Sequence, residues 1–483
     1  MKGGSRMKDA KKKGSKDNSM SIKTCYVIGI QCQLDAKENK KTNTLDVSGR
    51  HKVDDSLMRQ TAEYCREAIK FCTSAVLSEW DFLQSVPKKL WRSAVDKLIH
   101  TTAGNKARYP EFDKKFKTMP GYTRRMVIAD ALGMVRSYKE NHAKWEALKP
   151  AERGAKPTLG IPPRYELTFY DQERRMSRLS KGQIGLKLYD GKKWDWYYFQ
   201  ISASDAAYLS RIGKSRKMLS PTVQKIRGRY EVRFCFEERK ELVQNDRKLD
   251  YKILAVDLGI NAAASWCVMT ADGTVHAKGV IHLTCEEDRL NRMINRKRQY
   301  QQAGKKSSCV YRWVKEANRQ LSIATAKALT SIASEQKVDC IVFEHLDGKG
   351  KIHGGRYRER IHMWRKNDVQ ARVTDMAHRL GMRISRVCAW GTSKLAFDGS
   401  GQVDRHSVYH FEHGKKVYNY SLCRFQNGKI YNCDLSAAQN IGARFFLREY
   451  ERAGAMGMFP GTPQRTLNTL IMFVKNGLPE KAV

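Results

Sequence analysis

The feature that most constrains this chain is an apolar run that ends in a carboxylate, and it occurs twice. Ile253-Leu254-Ala255-Val256 runs into Asp257, and Cys340-Ile341-Val342-Phe343 runs into Glu344. Apolar residues without alternation are what a strand buried on both faces needs, as in a sheet covered by helices. A carboxylate closing such a strand is costly to keep ionised unless it is paired or metal-bound. A third acidic residue, Asp434, opens a helical segment, Asp434-Leu435-Ser436-Ala437-Ala438-Gln439-Asn440-Ile441. One such residue alone is more often a turn or cap residue. Three at the ends of successive elements predict a shared site for hard divalent cations, which prefer oxygen ligands.

The surrounding pattern predicts an α/β order. Strands are expected at 251–258, 263–270 and 274–281, the last two joined at Asp272-Gly273, followed by a basic helical region at 286–335. A strand at 339–343, a helix at 367–380, a strand at 382–389 and a helix at 436–450 complete it, with a glycine- and base-rich loop at 349–360. This order fits a mixed sheet with helices on its faces. The first half reads differently. A strand is expected at 21–33, helices at 55–83 and 122–148, and a Pro/Gly-rich boundary at 150–163. Residues 183–188 alternate, Asp190-Gly191 is a hairpin signal, 194–201 is aromatic strand material, and 223–237 forms a hairpin bent at Arg227-Gly228-Arg229. Helices therefore interrupt a β module, as in one barrel-like domain with a helical insertion. Residues 1–20 form a lysine-rich arm that is expected to be disordered, with Lys11, Lys12 and Lys13 able to touch phosphate.

Charge narrows the partners. Ninety Lys and Arg stand against 50 Asp and Glu, a net +40. Such an excess opposes compaction unless a polyanion neutralises it, and nucleic acid is the obvious one. No apolar run is long enough to span a bilayer and no signal-peptide core opens the chain, so no membrane partner is expected. A cytoplasmic, nucleoid-associated protein is expected, or a nuclear one in a eukaryotic host. The 12 cysteines form no C-x-x-C pair and read as free thiols. With +40 of charge, the three carboxylates point to a phosphodiester-cleaving nuclease of ribonuclease H-like fold, using Mg²⁺ with Mn²⁺ as substitute. Two such ions can clamp both oxygens of an in-line displacement.

The three segments resemble the split nuclease motifs of the TnpB family and its relatives, the type V CRISPR effectors. The first motif there is G-x-D-x-G, and this chain has Ala255-Val256-Asp257-Leu258-Gly259, with alanine at the first glycine. The second is I-V-x-E-x-L, matched by Ile341-Val342-Phe343-Glu344-His345-Leu346. The third is D-x-N-A-A-x-N-I, matched from Asp434 to Ile441 with Ser436 in place of the asparagine. The motifs cover about 250–450; the N-terminal half matches in layout alone. The resemblance implies a multidomain fold: an α/β ribonuclease H-like (RuvC) nuclease domain at 250–450, and an N-terminal wedge-like β-barrel (21–54 and 157–249) with an α-helical recognition insertion (55–156). A tail follows at 451–483. It further implies an RNA-guided DNA endonuclease with guide RNA and target DNA as partners, working as a monomer or as a dimer on one guide RNA.

Relatives carry a four-cysteine zinc ribbon before the third motif. At 390–430 this chain keeps its entry, Thr392-Ser393-Lys394, but not the first cysteine pair, and of the second only Cys423. His406, His410 and His413 lie close by in sequence, yet zinc is not expected. Arg405 falls where relatives place a basic residue near the scissile phosphate. The expected nucleic-acid contacts are Arg124 and Arg125 on the helical insertion, Arg227 and Arg229 at the β bend, and Arg292, Arg296, Lys297, Lys305, Lys306 and Arg312 in the basic helical region. Trp313, Tyr357 and Trp364 lie among basic residues, as base-stacking side chains do. Two other readings share these features: an unguided, structure-selective nuclease of the same fold, and an RNA-guided DNA binder that no longer cleaves. A strand-joining transposase would share the acidic triad but would call for a separate DNA-binding domain.

Overall fold

The computed structural model describes residues 19–39, 44–162, 166–169, 177–180, 182–243, 249–259, 262–305, 307–345, 366–413 and 415–454. Lys11 to Lys13, Lys306, the loop at 349–360 with Tyr357, Trp364 and the tail beyond 454 lie outside the described residues. The chain divides into two units: Lys23–Glu238, and Arg239–Val483 together with Met1–Ile22.

The first unit begins with strands β1 (Ser19–Gly29), β2 (Cys32–Asn39) and β3 (Thr44–His51). Five helices follow: α1 (Asp55–Ser78), α2 (Trp80–Ser85), α3 (Trp91–Ile99), α4 (Glu111–Lys115) and α5 (Gly121–Glu146). Asp54 starts α1 by accepting from the backbone N–H groups of Ser56 (2.8 Å) and Leu57 (3.4 Å). The helix then buries a stripe at helical spacing, Leu57, Met58, Cys65, Ile69, Cys72 and Val76. Against it α5 buries Met126, Val127, Ala131 and Val135. The chain returns as β4 (Leu167–Thr168), β5 (Ser177–Ser180), β6 (Gln183–Tyr189) and β7 (Trp194–Gln200), then α6 (Ala203–Gly213), β8 (Lys217–Met218), β9 (Thr222–Ile226) and β10 (Arg229–Glu241). The helices thus interrupt the β elements as expected. The strands form two five-stranded sheets. One runs β3-β2-β7-β6-β5, and the other β1-β10-β9-β4 with β8 on β10. The chain passes between them at Ile30, whose N–H donates to Tyr230 O, and Gln31, whose N–H donates to Gln200 O. The β9–β10 hairpin turns on Arg227 (φ 50) and Gly228 (φ 81), a two-residue turn that needs both in the left-handed region.

The second unit is built on one mixed sheet of β11 (Ile253–Asp257), β12 (Ala264–Met269), β13 (Val275–Ile281), β14 (Cys340–His345) and β15 (Arg383–Cys388), in the order β13-β12-β11-β14-β15. The first three are antiparallel neighbours, and β14 and β15 run parallel to β11. The basic helical region resolves into two helices, α7 (Thr284–Gln302) and α8 (Ser308–Glu335). Gly304 at φ 65 ends the first, and Ser307 caps the second through Val310 N–H. Leu290 and Ile294 pack on Val314 and Ala317, so the pair folds back on itself. Helix α9 (Lys366–Arg379) and the last helix, α10 (Cys433–Arg452), complete the layers. Alternation sorts the central strands. Leu254, Val256, Ile341 and Phe343 face α8 and α9, whereas Ile253, Ala255, Cys340 and Val342 face α10. A Cβ at Gly442 would stand 2.5 Å from Met269 Sδ and 3.3 Å from Ala255 Cβ, so α10 can lie this close only because that position carries no side chain.

Candidate active site

The pairing register brings the first two carboxylates together. In the parallel β11–β14 pair, Ile253 faces Cys340 and Val256 faces Phe343, so one step further sets Asp257 beside Glu344. Both share the parity of Ala255 and Val342 and therefore lie on the face that α10 covers. The first turn of α10 brings Asp434 to the same face. Asn432 fixes that turn by accepting from the N–H groups of Asp434 and Leu435, each at 3.0 Å. A carboxylate there also sits at the positive end of the helix dipole.

The three groups interact. Burial pushes the Asp257 carboxyl well above its ordinary value, and the negative charges of Glu344 and Asp434 push it further. Arg405 opposes the rise at Asp257. Burial likewise raises Glu344, against a hydrogen bond from Thr392 and the positive charges of Arg444 and Lys366. Asp434 is raised by burial and held back by Arg405. Arg405 itself is half-buried and anchored by Nη2 to Ser393 O at 3.0 Å. Among the described residues no three His, Cys, Asp or Glu side chains close around a single point as a finished metal cage would. An open set of carboxylates suits Mg²⁺, which usually keeps waters and binds through one or two carboxylates plus substrate phosphate.

Ser436 and Asn440 lie in the third motif and Thr392 at the ribbon entry, but their roles were not visible there, and Arg444 lies three residues beyond the third motif. Thr392 Oγ1 donates to Glu344 Oε1 and so orients that carboxylate. Asn440, fully buried, donates through Nδ2 to Thr392 O (2.8 Å) and Leu395 O (2.7 Å), pinning the loop that carries Thr392 to α10. Arg444 Nη1 donates to Cys388 O at 2.6 Å, at the end of β15. Ser436, where relatives have asparagine, is buried and accepts from Phe397 N–H at 3.3 Å. That side chain ties α10 to the segment at 390–430.

This segment contains two small hairpins, β16 (Tyr409–Glu412) with β17 (Lys415–Tyr418), and β18 (Leu422–Arg424) with β19 (Ile430–Asn432). Ala396, Phe397, Cys423, Phe425 and Cys433 form a small apolar core in it. Burial and the neighbouring Cys433 push the Cys423 thiol up to about 12, away from the thiolate that zinc needs. His406 stands edge-on to Tyr418 and Tyr420, His410 lies across from Val417, and His413 sits at the turn with φ 47. Protein dialysed free of loose metal is expected to hold less than one equivalent of zinc by elemental analysis. A stoichiometric, tightly held zinc would instead assign these histidines and Cys423 to a site.

The expected nucleic-acid contacts sort into two groups. Arg125, Arg227, Arg229, Arg292, Arg296, Lys305 and Arg312 are exposed, and Lys297 is half-buried. Arg296 lies 5.0 Å from the ring centre of Trp313, itself exposed. Arg124 instead serves the packing of the helices, since only 15% of its side chain is exposed and Nε donates to Asp96 at 2.8 Å. It joins α3 to α5 because its place on α5 turns inward, between Thr123 and Met126. Lys306 lies outside the described residues.

Comparison with known proteins gives three findings. The Aq_aa04 family matches residues 41–190. No curated protein matches the chain. Among solved structures, a Cas12f1-sgRNA-target DNA complex is 12% identical with a TM-score of 0.48, over 87% of this chain and 99% of that one. C2c1 of Alicyclobacillus acidoterrestris with single-guide RNA is 10% identical with a TM-score of 0.43, over 81% of this chain and 67% of that one. A Cas12i1 R-loop complex is 10% identical with a TM-score of 0.37, over 71% and 53%. The chain is thus similar, at low identity, to type V CRISPR effectors.

Proposed function

We propose that this protein is an RNA-guided DNA endonuclease that hydrolyses phosphodiester bonds at a single site formed by Asp257, Glu344 and Asp434. The observation that carries the proposal is the meeting of two parallel strand ends and a helix first turn on one sheet face, each contributing a carboxylate, with Glu344 and Asp434 opposing the ionisation of buried Asp257. These side chains would hold Mg²⁺ or Mn²⁺. With two such ions bound, both oxygens of an in-line displacement would be stabilised. Thr392 holds Glu344 in orientation, and Arg405, whose positive charge acts on Asp257 and Asp434, would stabilise charge that builds on the phosphate. The guide RNA follows from the motif resemblance alone; the net charge of +40 fits a polyanionic partner of either kind. Pairing with the guide would read the target, leaving the protein to grip backbone and shape.

The test is to sequence the RNA that co-purifies with the protein, then to supply that RNA with a matched DNA in Mg²⁺. Cutting that requires both RNA and match is the expected result. RNA-independent cutting would favour the unguided nuclease, and guided binding without cutting in any divalent ion would favour the non-cleaving binder.

The phosphate contacts have their own readout. Guide affinity is expected to fall steeply with salt, with a log–log slope of roughly −0.7 to −0.9 per phosphate neutralised. Removing charge at Arg292, Arg296 and Lys305 should flatten that slope and weaken matched and mismatched targets alike, because phosphate contacts position rather than specify. An unchanged slope, with circular dichroism confirming the fold, would move the RNA site away from α7.

A further inference from the structure

Strands β1 and β10 are neighbours in their sheet. The end of β1 meets the start of β10, where Ile30 N–H donates to Tyr230 O at 2.9 Å, so the two run antiparallel. Counted in opposite directions from that bond, Cys25 falls opposite Cys235. Cys235 O accepts from Leu219 N–H at 2.7 Å, on the β8 side of β10. The backbone of Cys235 therefore turns away from β1, and Cys25–Cys235 is a non-hydrogen-bonded pair. In such pairs the opposing Cα atoms stand about 4.5 Å apart and the side chains are closest. That spacing falls within the roughly 4.4–6.8 Å that a disulfide spans.

Both thiols lie on the outer face of the sheet. Val232, Phe234 and Phe236 are buried along β10, and Arg233, Cys235 and Glu237 alternate with them. On β1 the buried residues are Ile22 and Ile28, while Lys23, Cys25 and Val27 point outward. Cys25 is exposed and Cys235 half-buried, and their side chains hydrogen-bond each other. Burial and the Cys235 thiol push the Cys25 thiol up, while the positive charge of Arg233 opposes the rise. Cys423 and Cys433 also hydrogen-bond each other, but both are buried, out of reach of a reagent in solution. The place of the outer pair in the chain matters as well. The boundary between the two units falls between Ile22 and Lys23 and again between Glu238 and Arg239. The chain therefore enters the first unit along β1 and leaves it along β10, and the two cysteines lie within three residues of these crossings. As the edge strand, β1 is paired on one side alone.

We propose that Cys25 and Cys235 form a reversible thiol–disulfide site, closed by a small disulfide of the glutathione class, and that closing it braces β1 to β10. The Cys25 thiolate attacks one sulfur of glutathione disulfide, whose S–S bond breaks and releases one glutathione. The Cys235 thiolate then attacks the Cys25 sulfur of the mixed disulfide and releases the second. Two protein thiols are oxidised, one glutathione disulfide is reduced to two thiols, and the two protons pass from the cysteines to the departing glutathiones. The proposal does not depend on the nuclease reading.

The experiment treats the reduced full-length protein with glutathione disulfide, blocks the remaining thiols and maps peptides by mass spectrometry. A linked Cys25–Cys235 peptide should form before any other bond and should disappear with dithiothreitol. The oxidised protein should unfold at a temperature higher by roughly 5–10 °C, since the bond closes a long loop. Cys235→Ser should stop at a glutathione adduct on Cys25, Cys25→Ser should form no linked peptide, and neither variant should gain thermal stability on oxidation. A stable glutathione adduct on Cys25 in the wild type without the linked peptide would overturn the site. So would earlier bonding through the exposed Cys285 or Cys309, or disulfide-linked dimers on a non-reducing gel. A linked peptide with an unchanged unfolding temperature would overturn the brace.

Discussion

Asp257→Ala, Glu344→Ala and Asp434→Ala are each expected to abolish DNA cleavage, lowering the rate by roughly three orders of magnitude or more. A bound divalent cation supplies several kcal/mol of transition-state stabilisation, and about 1.4 kcal/mol is a tenfold change in rate. The three substitutions should not multiply when combined, since the carboxylates act as one unit on the same ions. Guide and target binding should survive, because the exposed cations at Arg292, Arg296 and Lys305 do not involve these side chains. The check is single-turnover cleavage beside a binding titration on the same preparations. Robust cutting by the Asp257→Ala protein would remove the site from the mechanism. Loss of cutting together with loss of binding would show that the substitution had damaged the fold instead.

The same cluster should make metal-free stability depend on pH in an unusual direction. Asp257, Glu344 and Asp434 all titrate above their ordinary values in the folded protein. Between the ordinary value and the raised one, the folded protein therefore holds protons that the unfolded chain has released. Their contribution is fully present below the ordinary carboxylate range and is lost as pH rises through the raised values. Asp257→Asn removes a buried negative charge from between two others. At neutral pH without metal it should be more stable than the wild type by about 1–3 kcal/mol, the scale of an uncompensated buried group. Below the carboxylate range the two proteins should converge. Mg²⁺ should reverse the order by stabilising the wild type, by about 2.7 kcal/mol at a hundred times its dissociation constant, and should leave Asp257→Asn little changed. Thermal unfolding at several pH values, with EDTA and with Mg²⁺, reads all of this. A wild type whose neutral-pH stability equals that of Asp257→Asn, and which ignores Mg²⁺, would count against a metal site.

Much of the second unit was legible in the amino-acid order. The unbroken apolar runs before Asp257 and Glu344 announced strands buried on both faces, and β11 and β14 are such strands, with Ile253 to Val256 and Ile341 to Phe343 fully buried. Turn chemistry at Asp190-Gly191 and Arg227-Gly228 placed two hairpins, because few backbones suit those residues. Periodicity located α1 and α5 for the same kind of reason: a helix that must bury one face shows its spacing in the chain. These signals are local, and local steric and solvation rules settle them. What no local rule contains is register. That Asp257 stands beside Glu344 follows from the parallel alignment of two strands more than 80 residues apart, which the packing of α8, α9 and α10 on their two faces selects. The inward turn of Arg124 toward Asp96 and the hold of Thr392 on Glu344 likewise depend on partners far along the chain. So does the gathering of Ala396, Phe397, Cys423, Phe425 and Cys433 into a core. The sequence by itself determined which residues carry charge and which elements they end. The tertiary structure alone decided which of those charges meet, because their meeting is a property of packed faces and paired strands rather than of neighbours in the chain.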